Sequence, residues 1–383
     1  MITANFKLRI SHFALGLALV LLSAIGVPAS ALTETQLQGK LADYLANSAL
    51  QGAAVGCEVQ AMDGSEIYQY HAGRALVPAS NVKALVAATA VELFGPQYVF
   101  GGQVWSETVV KNSAVANLYL TGCANPDGTQ SLIWPLARAL RDKGLKQVTG
   151  DVVGTGPLTA TDHDHGLQSA KRLADVLAQL GVHIKGHARE GCCPAAPVLL
   201  ADAPGSTLAE YLKETNKMSE NHLAQCLLDS LLSFYADPAA PSPDFLLRYW
   251  TLQGLDTTGM ALVDGSGYSH DNRLTPRLLA SVLVRVASVP AEYTALSRSF
   301  PIAGVDGTLR DRMQGTAAEG CVRAKTGTLT HVSCLSGYVE RQAHARVVFS
   351  LMMNGFSCPL STAHRVQDQI AIALAQYVQS GSG

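Results

Sequence analysis

The chain has 383 residues, with 28 basic and 30 acidic side chains, a formal net charge of −2 and 48% hydrophobic residues. A chain of this length and hydrophobic content can bury a large core and form two domains. The near balance of charges, without a basic patch, excludes nucleic acid as an expected partner.

The N-terminus has the pattern of an export signal. Lys7 and Arg9 precede an apolar run at residues 13–27, and Ala29-Ser30-Ala31 then matches an A-x-A cleavage site. The apolar run is too short to span a bilayer. We therefore expect residues 1–31 to be removed on export. The mature protein of 352 residues (383 − 31) is then periplasmic and has no stable membrane anchor.

Hydrophobic periodicity predicts helices and strands along the rest of the chain. A β-hairpin is predicted at residues 57–70, because two strand-like runs flank Asp63-Gly64, a dipeptide typical of tight hairpin turns. An amphipathic packing helix is predicted at 366–378. The other predicted helices are 37–46, 81–93, 131–143, 167–180, 208–213, 221–233, 243–253 and 276–287, and the other strands are 118–121, 147–153, 331–338 and 346–354.

The order of these elements predicts an α+β architecture, with helices flanking a central antiparallel sheet. Residues 97–204 contain strands and helices of their own, so we expect a smaller inserted α/β domain there. The main domain is then discontinuous and consists of residues 32–96 and 205–383.

The first motif with catalytic potential is Ser80-Asn81-Val82-Lys83, at the start of a predicted helix. A serine hydroxyl is a poor nucleophile until a neighbouring base takes its proton. Lys83, three residues on, shares a helix face with Ser80 and can be that base if burial lowers its pKa. Taken alone, the motif is more often a helix cap followed by a solvated charge.

Two later motifs make the catalytic interpretation the stronger one. Ser219-Glu220-Asn221 offers a hydroxyl that can relay a proton and an amide that can donate and accept. It also fits a helix cap, with Ser219 as the N-cap. Lys325-Thr326-Gly327-Thr328 begins a predicted strand and offers a charge and a hydroxyl for a carboxylate, while Gly327 lets a ligand backbone approach closely.

The three motifs in this order are the signature of active-site serine penicillin-binding proteins and serine β-lactamases. Further segments resemble one group of them: Asn117 to Gly122 followed by Asn125-Pro126, Asp264 to Ser269, and Ala303 to Leu309. The chain resembles D-alanyl-D-alanine carboxypeptidase/endopeptidases of the DacB type, which are low-molecular-mass class C penicillin-binding proteins. The resemblance covers nearly the whole mature chain and implies a β-lactamase/transpeptidase-like fold.

The resemblance also implies a role for each motif residue. Ser80 is the nucleophile that becomes acylated, Lys83 is its general base, and Ser219 and Asn221 complete the proton network and hold the peptide. Lys325 and Thr326 bind the terminal carboxylate of a peptidoglycan stem peptide that ends in D-Ala-D-Ala. The backbone N–H groups of Ser80 and Thr328 form the oxyanion hole. β-Lactams mimic the substrate and stall at the acyl stage; no cofactor or metal is expected.

The chain departs from the DacB pattern at several places. Only 139 residues (219 − 80) separate Ser80 from Ser219, fewer than is usual, so we expect a second extra domain to be absent or reduced. Carboxypeptidase activity is therefore a firmer expectation than endopeptidase activity. Glu220 stands where Asp is commoner, and Gln225 where the family often has Glu.

Two other functions stay open at this point. A β-lactamase needs a base for the deacylating water, and the chain lacks a Glu-x-x-Leu-Asn segment between the first two motifs. A non-catalytic peptidoglycan-binding or β-lactam-sensing module would not need all three motifs.

Other clusters are interpreted as structural. Asp162-His163-Asp164-His165 is interpreted as a polar loop and not a metal site, because such runs lack a fixed ligand geometry. Ser266, within Asp264-Gly265-Ser266-Gly267, is predicted to lie in a turn. The eight cysteines permit disulfides. The sequence contains no Cys-x-x-Cys pair, so its cysteine spacing does not indicate a zinc site.

Overall fold

The computed structural model describes residues 32–122, 130–155, 165–237, 240–342 and 344–380. The predicted export signal at residues 1–31 lies outside these ranges. So do the Asn125-Pro126 segment and residues 162–164 of the His/Asp cluster. Among the described residues, no helix combines the length and the hydrophobicity needed to cross a membrane.

The described residues form helices and strands in the following order along the chain. They are α1 (Glu34–Leu45), β1 (Ala54–Ala61), β2 (Glu66–Tyr70), α2 (Val82–Phe94), β3 (Val99–Ser106), β4 (Ala114–Val115), β5 (Leu118–Thr121), α3 (Gln130–Asp142), β6 (Gln147–Val148), β7 (Val152–Gly154), α4 (His165–Gln179), β8 (His183–Ile184), β9 (Ala188–Glu190), β10 (Val198–Thr207), α5 (Leu208–Lys217), α6 (Asn221–Tyr235), α7 (Phe245–Leu252), α8 (Pro276–Ala287), α9 (Pro290–Ser299), β11 (Val322–Leu329), β12 (Val332–Arg341), β13 (His344–Asn354) and α10 (Leu360–Ser380).

The main sheet has five antiparallel strands in the order β11-β12-β13-β1-β2. β1 and β2 form the predicted hairpin, and β1 pairs with β13 from Ala54↔Asn354 to Ala61↔Val347. Strands from the two ends of the chain therefore share one sheet. β11, which carries the third motif, is at its edge.

Helices cover both faces of this sheet. Alternate residues of β12 point to opposite faces, as strand geometry requires. Cys334 and Tyr338 join a core formed with α2, α5, α6, α7, α8 and α9, whereas Leu335 and Val339 join a core formed with α1 and α10. The predicted α+β architecture, an antiparallel sheet flanked by helices, is confirmed.

Helix α2 passes through the middle of the first core. Its residues from Val82 to Val91 are all buried, including the polar Lys83 and Thr89. A helix that is apolar around most of its circumference is typical of a central, fully enclosed helix. Gly95, with φ of 80°, ends it. The helix that follows Ser80 is therefore enclosed by the first core.

A separate core lies between residues 104 and 203. Strands β10-β3-β5-β7-β9 form one sheet and β4-β6-β8 a small parallel one, with α3 and α4 packed against them. The bounds of the inserted domain, residues 97–204, stay a prediction. Strand β10 ends at Thr207, three residues beyond the predicted end (207 − 204).

The structure differs from the predicted elements in three respects that concern residues 147–153, α9 and α10. The single strand expected at residues 147–153 is two short strands, β6 and β7, which pair in different sheets. The chain turns between them at Thr149-Gly150-Asp151, where Gly150 N–H donates to the Ala116 carbonyl. Helix α9, which begins at Pro290, was not predicted, and α10 is longer than the predicted 366–378.

A buried hydrogen bond joins α2 to α7, and it can be tested. Trp250 Nε1 donates to Thr89 Oγ1 at 2.9 Å, and both side chains are fully buried. We expect Thr89→Val to lower the free energy of unfolding by about 1–3 kcal/mol, because the indole N–H is left unpaired. Urea unfolding measures this change. The exposed Thr258→Val is the control, and equal stability of the two variants would contradict the prediction.

Candidate active site

The three sequence motifs meet around two lysine amines. Lys83 Nζ lies 2.9 Å from Ser80 Oγ and 2.8 Å from Asn221 Oδ1. Lys325 Nζ lies 2.9 Å from Ser219 Oγ. Each lysine therefore contacts a serine hydroxyl, and the second motif contributes to both pairs.

The nucleophile candidate Ser80 lies in a short 3-10 turn, Ala79–Asn81, that leads directly into α2. Its neighbour Ala79 has φ of 48°, an uncommon conformation for a residue with a side chain. The buried Asn81 side chain donates to Ser336 Oγ at 2.9 Å, and Ser336 donates to Ser350 Oγ at 2.9 Å. These bonds attach the turn to strands β12 and β13 of the main sheet.

Burial shifts the pKa of both lysines downward. Lys83 is 1% exposed, and burial lowers its pKa to about 8, while the negative charges of Asp264 and Glu220 oppose part of that shift. Lys325 is 0% exposed, and burial and then the charge of Lys83 hold its pKa well below the usual value. Two ammonium groups are disfavoured here, so a neutral amine is available at moderately alkaline pH.

Ser219 is not the N-cap of α6, as one interpretation of the sequence had it. Glu220 occupies that position, without a side-chain capping bond. Ser219 itself has φ of 63°, and its hydroxyl lies against Lys325. The contact with the buried lysine thus replaces the capping bond that the sequence pattern suggests.

Strand β11 presents its open edge next to Ser80. Ala324 N–H donates to the Pro301 carbonyl, away from β12, so by the alternation of strand geometry Thr328 N–H also points off this edge. Gly327 packs so closely against the nucleophile turn that a Cβ there would lie 2.8 Å from the Pro78 carbonyl oxygen and 3.2 Å from Ser80 N. The backbone N–H groups of Ser80 and Thr328 therefore belong to facing segments.

A fourth segment, which the sequence analysis interpreted only as a turn, completes the site. Residues 264–269 do form a turn, in which Asp264 accepts from the N–H groups of Gly267 at 2.5 Å and Ser269 at 2.7 Å. Its Ser266 carbonyl oxygen lies 2.5 Å from Lys83 Nζ. Ser266 contributes to the site through its backbone, and Asp264 shapes the turn that presents it.

Gln225 holds this turn from helix α6. Its Oε1 accepts from Gly265 N–H at 2.9 Å, and its Nε2 donates to Asp229 Oδ1 at 2.9 Å. An amide can accept one bond and donate the other, whereas a glutamate at position 225 would place a second carboxylate next to Asp229. The departure noted at this position thus has a physical explanation. The sequence did contain one signal for the role of Gln225. Gln225 follows Asn221 by four residues, which places both side chains on one helix face.

The described cysteines are free thiols, and three of them are buried. Burial raises the pKa of Cys57, Cys226 and Cys334 to about 12 in each case. These thiols stay protonated and unreactive near neutral pH. The contact of Ser80 Oγ with Lys83 Nζ, and not the state of the thiols, makes Ser80 the candidate nucleophile.

Comparison with known proteins identifies a family for most of the chain. The D-Ala-D-Ala carboxypeptidase 3 (S13) family matches residues 37–166 and 155–377. A D-alanyl-D-alanine carboxypeptidase of Actinomadura sp. (strain R39) is 29% identical, over 90% of this chain and 85% of that protein. The D-alanyl-D-alanine carboxypeptidase DacB of Haemophilus influenzae is 33% identical over 187 residues, 47% of this chain and 39% of that protein.

Solved structures share the fold. Penicillin binding protein 4 (dacB) from Haemophilus influenzae, in a complex with a β-lactam, has a TM-score of 0.71 at 22% identity and covers 90% of this chain and 99% of that one. A predatory peptidoglycan endopeptidase from Bdellovibrio bacteriovorus, Bd3459, has a TM-score of 0.59 at 16% identity, with 86% of this chain and 94% of that one covered.

The alignment with the Actinomadura protein is longer than this chain. It runs over 461 residues, so that relative has at least 78 residues (461 − 383) without a counterpart here. This agrees with the short spacing between the first two motifs. The family match nevertheless reaches from residue 37 to residue 377 and includes all three motifs. The chain therefore belongs to the D-Ala-D-Ala carboxypeptidase 3 (S13) family, as its resemblance to DacB-type proteins implied.

Proposed function

We propose that the protein is an exported serine D-alanyl-D-alanine carboxypeptidase that acts on peptidoglycan stem peptides through an acyl-enzyme on Ser80. The observation that carries this proposal is the contact of Lys83 Nζ with both Ser80 Oγ and Asn221 Oδ1. Family membership and the relatives' names support the same activity. β-Lactams are the expected inhibitors, and the periplasm is the expected location after removal of residues 1–31.

Acylation starts with a proton transfer to Lys83. The neutral Lys83 amine takes the Ser80 Oγ proton, and the oxygen attacks the carbonyl carbon of the penultimate D-alanine. The N–H groups of Ser80 and Thr328 stabilise the negative oxygen; one such donor typically contributes about 3–4 kcal/mol. The C–N bond breaks, and the leaving amine of D-alanine receives a proton through Ser219.

Deacylation reverses the proton movement. Lys83 takes a proton from a water molecule, the hydroxide oxygen attacks the ester carbon, and Ser80 Oγ leaves and regains its proton. Asn221, whose Oδ1 contacts Lys83, holds the amine and the peptide in place. A β-lactam forms the same ester, but its leaving group stays attached and slows this step.

Lys325 and Thr326 bind the substrate's terminal carboxylate. Lys325 is buried, and burial together with the charge of Lys83 holds its pKa well below the usual value. A carboxylate next to it favours the charged form and raises that pKa. Substrate binding therefore brings a proton to Lys325, and the ion pair forms only when the correct ligand is bound.

We also propose that residues 97–204 form the inserted domain, while 32–96 and 205–383 form the peptidase domain. The support is the separate core between residues 104 and 203. All site residues then belong to the peptidase domain.

The first experiment is intact-mass spectrometry of the mature protein after incubation with benzylpenicillin. We expect an adduct with the mass of the intact drug, mapping to Ser80 and absent in Ser80→Ala. Release of D-alanine from a pentapeptide that ends in D-Ala-D-Ala should be lost in the same variant. Rapid hydrolysis of the drug without an adduct would indicate a β-lactamase, and an intact drug without an adduct would indicate a non-catalytic module.

The lowered pKa of Lys83 predicts how the acylation rate constant depends on pH. Because the neutral Lys83 amine is the base and its pKa is lowered to about 8, the acylation rate constant should rise as pH increases through about 8 and then level off. Below that value it should fall about tenfold per pH unit. Stopped-flow measurements with a chromogenic cephalosporin test this. A rate that stays flat from pH 6 to pH 9 would show that Lys83 is not the base.

The close approach of Gly267 to the backbone next to Ser80 gives a further prediction. A Cβ on Gly267 would lie 1.9 Å from the Ala79 carbonyl oxygen and 2.9 Å from Ser80 N. Gly267→Ala should therefore displace the nucleophile turn and slow acylation by at least about 100-fold. Gly64→Ala is a matched control, because Gly64 also has a positive φ but nothing within 4 Å of its Cβ position. Equal acylation rates in the two variants would contradict the proposed oxyanion geometry.

A further inference from the structure

A threonine outside the three motifs contacts the proposed carboxylate site. Thr308 lies in the 3-10 turn Gly307–Leu309, before β11, and its Oγ1 lies 2.7 Å from Thr326 Oγ1. Thr308 is exposed and Thr326 partly exposed. A ligand that reaches the Thr326 hydroxyl therefore meets a pair of hydroxyl groups.

The loop that carries Thr308 is fixed at several points. Asp306 accepts from Lys217 Nζ at 2.7 Å and 2.6 Å through its two oxygens, and from Ile302 N–H at 2.8 Å. At the base of the loop, Ala303 N–H donates to the Val322 carbonyl of β11. Thr308 is thus held against β11 by bonds that do not involve its own side chain.

The ion pair also joins the end of α5, just before the second motif, to the turn that contacts the third motif. Lys217 is the last residue of α5, two residues before Ser219, and its side chain is 12% exposed. Asp306 is two residues before Thr308. A salt bridge that is partly shielded from water is a more effective anchor than an exposed one. The same bridge therefore ties the segment that leads to Ser219 to the segment that carries Thr308.

The direction of the hydrogen bond between the Thr308 and Thr326 hydroxyl groups decides where the Thr326 proton points. Each hydroxyl has one proton to donate and two lone pairs that accept. If Thr308 donates to Thr326 Oγ1, the Thr326 proton is free to point at a carboxylate. A donor that receives such a bond also becomes a stronger donor itself.

We propose that Thr308 is a positioning residue for carboxylate recognition: its hydroxyl donates to Thr326 Oγ1 and directs the Thr326 proton at the substrate's terminal carboxylate. This inference rests on the proposed function, in which Thr326 binds that group. Thr308 acts through Thr326 and does not touch the reacting carbonyl. Its contribution is therefore specific for ligands that carry the negative charge.

The test compares a ligand that has the carboxylate with one that lacks it. Acylation rate constants are measured by intact-mass spectrometry for benzylpenicillin and for its methyl ester, in wild type and in Thr308→Val. The ratio of the acid rate to the ester rate should fall about tenfold in the variant, the effect of about one hydrogen bond to a charged group. The ester rate should hardly change.

Two controls separate this role from a structural one. Thr308→Ser keeps the hydroxyl and should restore most of the wild-type ratio, whereas Thr258→Val removes an exposed threonine elsewhere and should leave it unchanged. Equal slowing of acid and ester in Thr308→Val, or no slowing at all, would overturn the proposal. If wild type is not acylated by benzylpenicillin, the proposed function fails first, and the inference fails with it.

A second variant tests the anchoring of the loop. Asp306→Asn weakens the bond to Lys217 and should also lower the acid-to-ester ratio, by about threefold to tenfold. In a Thr308→Val background the same substitution should have little further effect, because both act through one hydroxyl. Additive losses in the double variant would show that Asp306 and Thr308 act separately.

Discussion

The burial of two neighbouring lysine amines is the constraint on which the rest of the site depends. Removing an ammonium group from water is costly, and here two such groups lie close together with almost no exposure. The cost favours neutral amines, and only a neutral amine can take the proton of Ser80. The acceptors around Lys83, namely the Asn221 amide and the Ser266 carbonyl, keep the charged form accessible once it has taken that proton.

The fold meets this constraint by joining rigid segments and not by one flexible loop. Helix α2 is enclosed on nearly all sides, α6 brings Asn221 and Gln225 on one face, and β11 lies at the sheet edge. Helices α2 and α6 share one core. β11 contributes Val322 and Ala324 to the core on the other face of the sheet and pairs with β12 along its length, so packing or pairing resists a shift of each element. Small errors in the position of a catalytic group reduce the rate strongly. The hydrogen bonds around Lys83 and Lys325 hold both amines in place.

The sequence predicted the motif residues, the hairpin, most helices and the flanked antiparallel sheet, because each of these depends on local pattern or on a long match. Apart from the meeting of the three motifs, which the resemblance implied, it did not predict contacts between distant segments. Gln225 and Gly265 are 40 residues apart, and nothing local shows that they are bonded. Ser219 has a left-handed backbone, and its hydroxyl bonds to Lys325, 106 residues away, instead of capping the helix that follows it. The split of residues 147–153 likewise depends on strand partners in two sheets.

The pairing of β1 with β13 has a consequence for how the protein matures. Ala54 and its partner Asn354 are 300 residues apart (354 − 54), so the sheet cannot close before nearly the whole chain has been made. Contacts with such separation slow folding, because the loop entropy is lost before the pairing is gained. The export that we propose would benefit from this delay, since a chain that crosses a membrane unfolded must not fold before it has crossed. The turn that carries Ser80 is attached through Asn81 to Ser336 of β12, which bonds to Ser350 of β13, so the position of this turn depends on strands made near the end of the chain.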